Sequence, residues 1–513
     1  MSRGQDQVKK LIYSRTLMMV LFMLIQIVVL VWAYILMRHK AVWIYGAFTA
    51  LSLILVIYLV NTQLNPMYKI TWIMLILVFP VFGALVYFLT RLDFGTHKIR
   101  YNYQRRINES KPFLTQNQKV LERLQELNPG AASTARYLEN QGYPIYENGG
   151  VQYFPLGEDK FEALVPRLEQ AKDFIFLEYF IISKGRMWDT VLEILERKVQ
   201  EGVDVRVIYD GMGNLTTLPY DYAEELRQRG IQCKIFSPIK PVLSSYQNNR
   251  DHRKILVIDG EVAFTGGINL ADEYINEKER FGHWKDTAVM VEGDAVRCFT
   301  MMFLQMWGLS YQSPISYQEY LLPLRAAKHD SQGFVIPFGE TPLDNENTGE
   351  QVYFDIIHQA TRYVHIMTPY LILDNEMITA LTHAARRGVE AQLILPHIPD
   401  KPMAFWLAKT YYKELLKSGV EIFEYTPGFV HAKTFVSDDD KGTVGTINLD
   451  FRSLYLHFEC GAYFYGCEML KDMEEDFQNT LEKCHKVTLE DCKNRPLWEK
   501  LLGFLLRLAA PLM

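Results

Sequence analysis

Two kinds of hydrophobic patterning divide the chain. From Thr16 to Thr90 it is almost continuously apolar, and three stretches there, Thr16–Met37, Ala41–Asn61 and Ile70–Thr90, carry no charged residue. Each has about the 20 residues that an α-helix needs to cross a bilayer core, so the pattern predicts transmembrane helices over about 16–37, 41–61 and 70–90. The first run is too long for a signal peptide and no small-residue cleavage site follows it. Only Arg38–Lys40 separates the first two segments, which predicts a tight hairpin. Pro80 and Gly83 fall inside the third, where membrane helices tolerate them, and Trp32, Trp43, Tyr68 and Trp72 stand near segment ends, where amphipathic aromatics favour the interface.

After Thr90 the pattern becomes that of a charged globular protein. From about Gly150 to Arg495 short β-rich apolar runs alternate with helical periodicity, and the series occurs twice. In the first copy "DFIFLEYFII" (Asp173–Ile182), "GVDVRVIYDG" (Gly202–Gly211) and "GIQCKIFSP" (Gly230–Pro238) lead to "HRKILVID" and "FTGGINL". In the second, "RYVHIMTPYLIL" (Arg362–Leu373), "GVEAQLILP" (Gly388–Pro396) and "GVEIFEYTP" (Gly419–Pro427) lead to "HAKTFVSD" and "VGTINLD". Strands alternating with helices predict α/β units around a buried sheet, and two copies predict duplicated domains that face each other. The expected organisation is a transmembrane region over 1–92, a basic linker over 93–149, α/β domains over 150–325 and 326–495 with an irregular junction at Pro314–Thr348, and an amphipathic C-terminal helix over 496–513.

Charge sharpens this picture. Arg91, Lys98, Arg100, Arg105 and Arg106 follow the third segment, and by the positive-inside rule they place the α/β part on the cytoplasmic side of a cell membrane. Arg3, Lys9, Lys10 and Arg15 compete for the same side, so with three apolar segments either one is re-entrant or the N-terminus lies outside. A net charge of -6 argues against nucleic acid as the main partner. Six cysteines without a CxxC or a close Cys/His cluster predict reduced thiols, no zinc site and no disulfide framework.

The chemistry lies in a repeated spacing. His252, Lys254 and Asp259 in the first copy, and His431, Lys433 and Asp438 in the second, share the pattern H-x-K-x4-D. Residues two apart on a strand share a face, so each histidine projects with its lysine. Asp259, at an odd offset from His252, points to the other face of a regular strand and reads as a residue of the fold. Gly266, Gly267 and Asn269, and Gly445 and Asn448, follow the two motifs. Glycine admits close backbone approach, and an asparagine amide can donate to an anionic oxygen. A lysine neutralises a phosphodiester, while an imidazole attacks phosphorus or moves a proton. One site needs both roles, hence two histidines from two copies. Chance would give about 0.03 such matches among twelve histidines.

"RDHRKILVIDG", "FTGGINLADEY" and "HWKDT", with "HAKTFVSD" and "VGTINLDFRSLYLHFE", resemble the paired motifs of bacterial cardiolipin synthases in the phospholipase D superfamily. The resemblance covers nearly the whole chain. It implies two phospholipase D-like α/β domains with a shared cleft and a catalytic set of His252, Lys254, Asp259, His431, Lys433 and Asp438. It also implies phosphate binding by Lys254, Lys433, Gly267, Asn269, Gly445 and Asn448, with Asp286 and Glu459 orienting the histidines. The implied reaction needs no metal or other cofactor: His252 attacks phosphatidylglycerol, glycerol leaves with a proton from His431, and a second phosphatidylglycerol takes up the phosphatidyl group to give cardiolipin. A hydrolase using water, or a transferase using another alcohol, shares the same motifs. One departure stands out: His457 occupies a position where the family resemblance predicts asparagine.

Overall fold

The structure is a computed structural model that describes residues 24–29, 31–32, 41–91, 94–238, 248–309, 315–323, 331–344 and 346–512. It divides into two compact units, one of Met1–Lys98, Ile239–Asn248 and Arg507–Met513, the other of Ile99–Pro238 and Asn249–Leu506.

The smaller unit contains the helices Ala41–Val60, Pro66–Val78 and Pro80–Arg91. Asn65 starts the second of these by accepting from the Met67 amide at 2.9 Å, with Pro66 in the first helical turn. The expected single helix over 70–90 is corrected. Phe79 leaves helical geometry (φ -128°, ψ 74°) because the ring of Pro80 disfavours it and removes a backbone donor. The two helices then approach so closely that a Cβ on Gly83 would lie 2.6 Å from the Leu75 carbonyl oxygen. Leu55, Leu59, Ile76, Ala84 and Tyr87 form a buried cluster, while Leu53, Ile54, Ile57, Leu77, Val78 and Phe88 stay exposed. The expected segment Thr16–Met37 lies mainly outside the described residues. Among the described residues no helix is long and apolar enough to cross a membrane.

The larger unit holds both copies of the repeat. One sheet has seven strands, in the order Val151–Phe154, Ala288–Glu292, Val262–Gly266, Lys254–Ile258, Phe174–Tyr179, Asp204–Asp210, Gln232–Phe236. The second has nine. Its central seven, Phe334–Glu340, Glu459–Tyr465, Lys441–Gly445, Thr434–Ser437, Tyr363–Met367, Glu390–Pro396 and Glu421–Tyr425, repeat that order, with Tyr146–Glu147 and Cys484–Lys486 at the edges. The repeat in sequence is therefore a repeat of topology. Each sheet has three parallel strands, and most of their residues are buried, which makes them predominantly apolar. Crossover helices such as Arg186–Gln200 and Asn375–Arg386 cover them.

Two expectations about connections are corrected. The segment taken as a linker contains the helices Phe94–Ser110, Gln118–Leu127 and Pro129–Asn140. The junction expected to be irregular contains the strand Phe334–Glu340, whose Pro337 and Gly339 disguise it in the sequence. The C-terminal helix Leu497–Ala509 sets Gly503 against Trp406 and Thr410 of the helix Pro402–Lys417, with the Trp406 and Trp498 rings 5.3 Å apart.

The two copies are stitched together at the motifs. Gly428–Val430 pairs in parallel with His283–Lys285. The His252 amide donates to the Phe458 carbonyl at 2.9 Å, and the His431 amide donates to the Lys285 carbonyl at 2.7 Å.

Asp259 and Asp438 do not belong with the catalytic residues. Each ends its strand in a left-handed turn, at φ 53° and 55°. The Asp259 carboxylate accepts from the amides of Lys172, Asp173 and Phe174 at 2.8–2.9 Å. Asp438 does the same for Thr361, Arg362 and Tyr363 at 2.8–3.0 Å. Each carboxylate thus satisfies three donors where the neighbouring strand begins, about 20 Å along the chain from its histidine. Asp259→Asn keeps a side chain that tolerates the turn but removes the charge. It is expected to cost about 1–3 kcal/mol in thermal unfolding while leaving turnover at low temperature within about threefold of the parent.

Candidate active site

Lys254 opens the strand Lys254–Ile258, two residues after His252, and Lys433 stands immediately before Thr434–Ser437, two residues after His431. All four side chains are buried. Each lysine curls back on its own motif: Lys254 Nζ donates to the His252 carbonyl at 2.6 Å, and Lys433 Nζ donates to the His431 carbonyl.

The carboxylates are exchanged between copies. His252 Nδ1 is 2.9 Å from both Glu459 oxygens, and His431 Nδ1 is 2.6 Å from Asp286 Oδ2. A buried carboxylate at Nδ1 holds the proton there and leaves the Nε2 lone pair free. Thr446 Oγ1 adds a second donor to Glu459. Gly267 makes the other pair possible, since a Cβ there would lie 2.0 Å from Asp286 Oδ1. Gly445 is required by packing: a Cβ would meet the Cys460 carbonyl oxygen at 2.5 Å.

Burial sets the protonation of the site. It drives His252 well below the ordinary imidazole range against the pull of Glu459. It lowers His431 to about 4, with the Lys433 charge acting in the same direction. Both rings are therefore neutral at pH 7. Burial would raise Glu459, but its contact with the His252 ring outweighs that and holds the carboxyl well below its ordinary range. Burial brings Lys254 down to about 8 and Lys433 to about 7. Lys254 acts electrostatically on both histidines, so the two motifs share one field. A site of this kind favours an anion, which restores the lysine charges on arrival.

The asparagines brace loops. Asn269 accepts from the Ile181 amide at 3.0 Å and donates to the Tyr274 hydroxyl at 2.7 Å, while Asn448 donates to Ser453 Oγ at 3.0 Å. Sequence reasoning missed Thr446, although it stands within "VGTINLD", and Lys160, which no motif marks. Lys160 is fully buried, donates to the Ile268 carbonyl and the Tyr179 hydroxyl at 3.3 Å, and is lowered by burial to about 7. Tyr353 donates to Ile447 at the same place in the second copy, so a cation and a phenol occupy matched positions.

Residues 164–307 and 353–481 match a family described as cardiolipin synthase, PLD-like domain, and residues 50–91 match a phospholipase D-nuclease N-terminal family. A Streptococcus mutans protein is 51% identical over 89% of this chain and 99% of its own length. A cardiolipin synthase of Alkalihalophilus pseudofirmus is 34% identical, covering 88% of this chain and 90% of the relative. Among solved structures, a phosphatidylserine synthase of Haemophilus influenzae superposes on 75% of this chain and 98% of its own, with a TM-score of 0.57 and 16% identity, a likeness of fold.

Proposed function

The chain belongs to the family of cardiolipin synthases with PLD-like domains, and from that premise we propose that it transfers the phosphatidyl group of one phosphatidylglycerol to the headgroup hydroxyl of another. The observation that carries this reading is the exchange of carboxylates, Glu459 on His252 and Asp286 on His431, which orients two imidazoles with Nε2 free in one phosphate-attracting field.

His252 Nε2 attacks phosphorus, a P–N bond forms and the P–O bond to glycerol breaks. The proton on the leaving alkoxide comes from His431, which the bound phosphodiester anion helps to protonate. The order of roles, His252 as nucleophile and His431 as acid and then base, is the one that the resemblance to the family implies. In the second half His431 takes the proton of the incoming hydroxyl, that oxygen attacks phosphorus, and the P–N bond breaks. Lys254 and Lys433 hold the non-bridging oxygens. Atoms and protons balance over the two halves without a cofactor.

We also propose that the N-terminal apolar segments anchor the enzyme in the cell membrane, with the α/β part on the cytoplasmic side. The exposed apolar side chains of the helices within 41–91 support this, because water does not stabilise such a surface. The break at Pro80 supports a re-entrant third segment, which relieves the competition between the two basic clusters for one side of the membrane.

The test is product analysis. Membranes containing the protein are given phosphatidylglycerol labelled in the headgroup and in the acyl chains. Cardiolipin and free glycerol in equal amounts are expected. Phosphatidic acid with glycerol and no cardiolipin would show that water is the acceptor.

A further inference from the structure

Beside the His252–Glu459 pair stands an imidazole that the reaction does not use. His457 is 9% exposed, and neither of its ring nitrogens makes a hydrogen bond. Its Nδ1 lies 3.7 Å from Glu459 Oε1, and its ring centroid is 5.7 Å from that of His252. One ligating atom from each of His252, His457 and Glu459 lies within 4.8 Å of the others. Ligand atoms around a tetrahedral Zn2+ are about 3.3 Å apart, given metal–ligand distances near 2.0–2.1 Å. The separations of 2.9 Å between His252 and Glu459 and 3.7 Å between His457 and Glu459 lie on either side of that value, and the two imidazoles, 5.7 Å apart between ring centroids, would turn toward each other to complete the geometry.

We propose that His252, His457 and Glu459 form an inhibitory binding site for a borderline divalent cation, best matched by Zn2+. Two imidazoles and one carboxylate are a donor set suited to zinc, with water in the fourth position. The cation would take the Nδ1 lone pair of His252. The ring proton must then sit on Nε2, and the lone pair that attacks phosphorus is gone. The inference goes beyond the proposed function, which uses no metal.

The experiment uses the full chain in phosphatidylglycerol vesicles, stripped with chelator, beside His457→Asn and His457→Gln. Co2+ added alone should give the visible absorption of a tetrahedral complex at one equivalent in the parent protein and should not in either variant. Zn2+ should inhibit cardiolipin formation reversibly by chelator. The inhibiting concentration should rise at least tenfold in both variants, each read against its own metal-free rate. Equal Zn2+ sensitivity in parent and variants, or a full equivalent of tetrahedral Co2+ in the variants, would overturn the inference. Binding is read independently of turnover, so a protein that binds Co2+ but makes no cardiolipin would sink the proposed function and leave this site standing.

Discussion

His252→Ala is expected to lower cardiolipin formation by at least about three orders of magnitude, because the atom that carries the phosphatidyl group is removed. His431→Ala is expected to lose a similar factor, since the departing glycerol oxygen then has no proton donor. The two losses differ in kind, and a donor with a nitrophenolate leaving group separates them. Nitrophenolate leaves without a proton, so His431→Ala should still accumulate a base-stable, acid-labile phosphohistidine, while His252→Ala should accumulate none. The reverse pattern would exchange the roles of the two histidines. Accumulation in both would remove the covalent intermediate at His252 from the mechanism.

Glu459→Gln and Asp286→Asn are expected to cost about 100- to 10,000-fold in kcat each, with little change in KM. The amides are close in size to the carboxylates but present an N–H as readily as an oxygen. They therefore no longer hold the Nδ1 proton in place or stabilise the imidazolium that forms in the reaction. Glu459 lies in the second copy and acts on the histidine of the first, so its loss should not add to that of His252→Ala. Asp286 and His431 should show the same non-additivity. A double variant whose loss is the product of the two single losses would mean that the carboxylate acts elsewhere.

The architecture of the α/β part was legible in the sequence because the central strands, such as Phe174–Tyr179 and Lys254–Ile258, are buried along their whole length and are therefore mostly apolar. Strand order followed the repeat. Phe334–Glu340 was not legible, since Pro337 and Gly339 are poor strand formers and tertiary pairing with Glu459–Tyr465 decides the matter. The third apolar segment misled for the opposite reason: Pro80 is compatible with a membrane helix, and whether it bends or breaks one depends on what packs beside it. In the site, the His-x-Lys spacing carried its meaning locally. Which carboxylate serves which histidine did not, because those pairs join residues 207 and 145 positions apart. The aspartate of the motif shows the limit of spacing as a guide. Asp259 travels with His252 in the sequence, yet its carboxylate is consumed by the amides that begin a neighbouring strand.

The exchange of carboxylates also has a meaning in time. A chain made from its N-terminus presents His252 long before Glu459 exists, with 207 residues still to be added. Until then the first motif is an ordinary imidazole without the partner that fixes its proton. A chain truncated before Glu459 lacks the carboxylate that orients its first histidine. The hydrogen bond that orients His252 therefore cannot form until both copies of the repeat have been made.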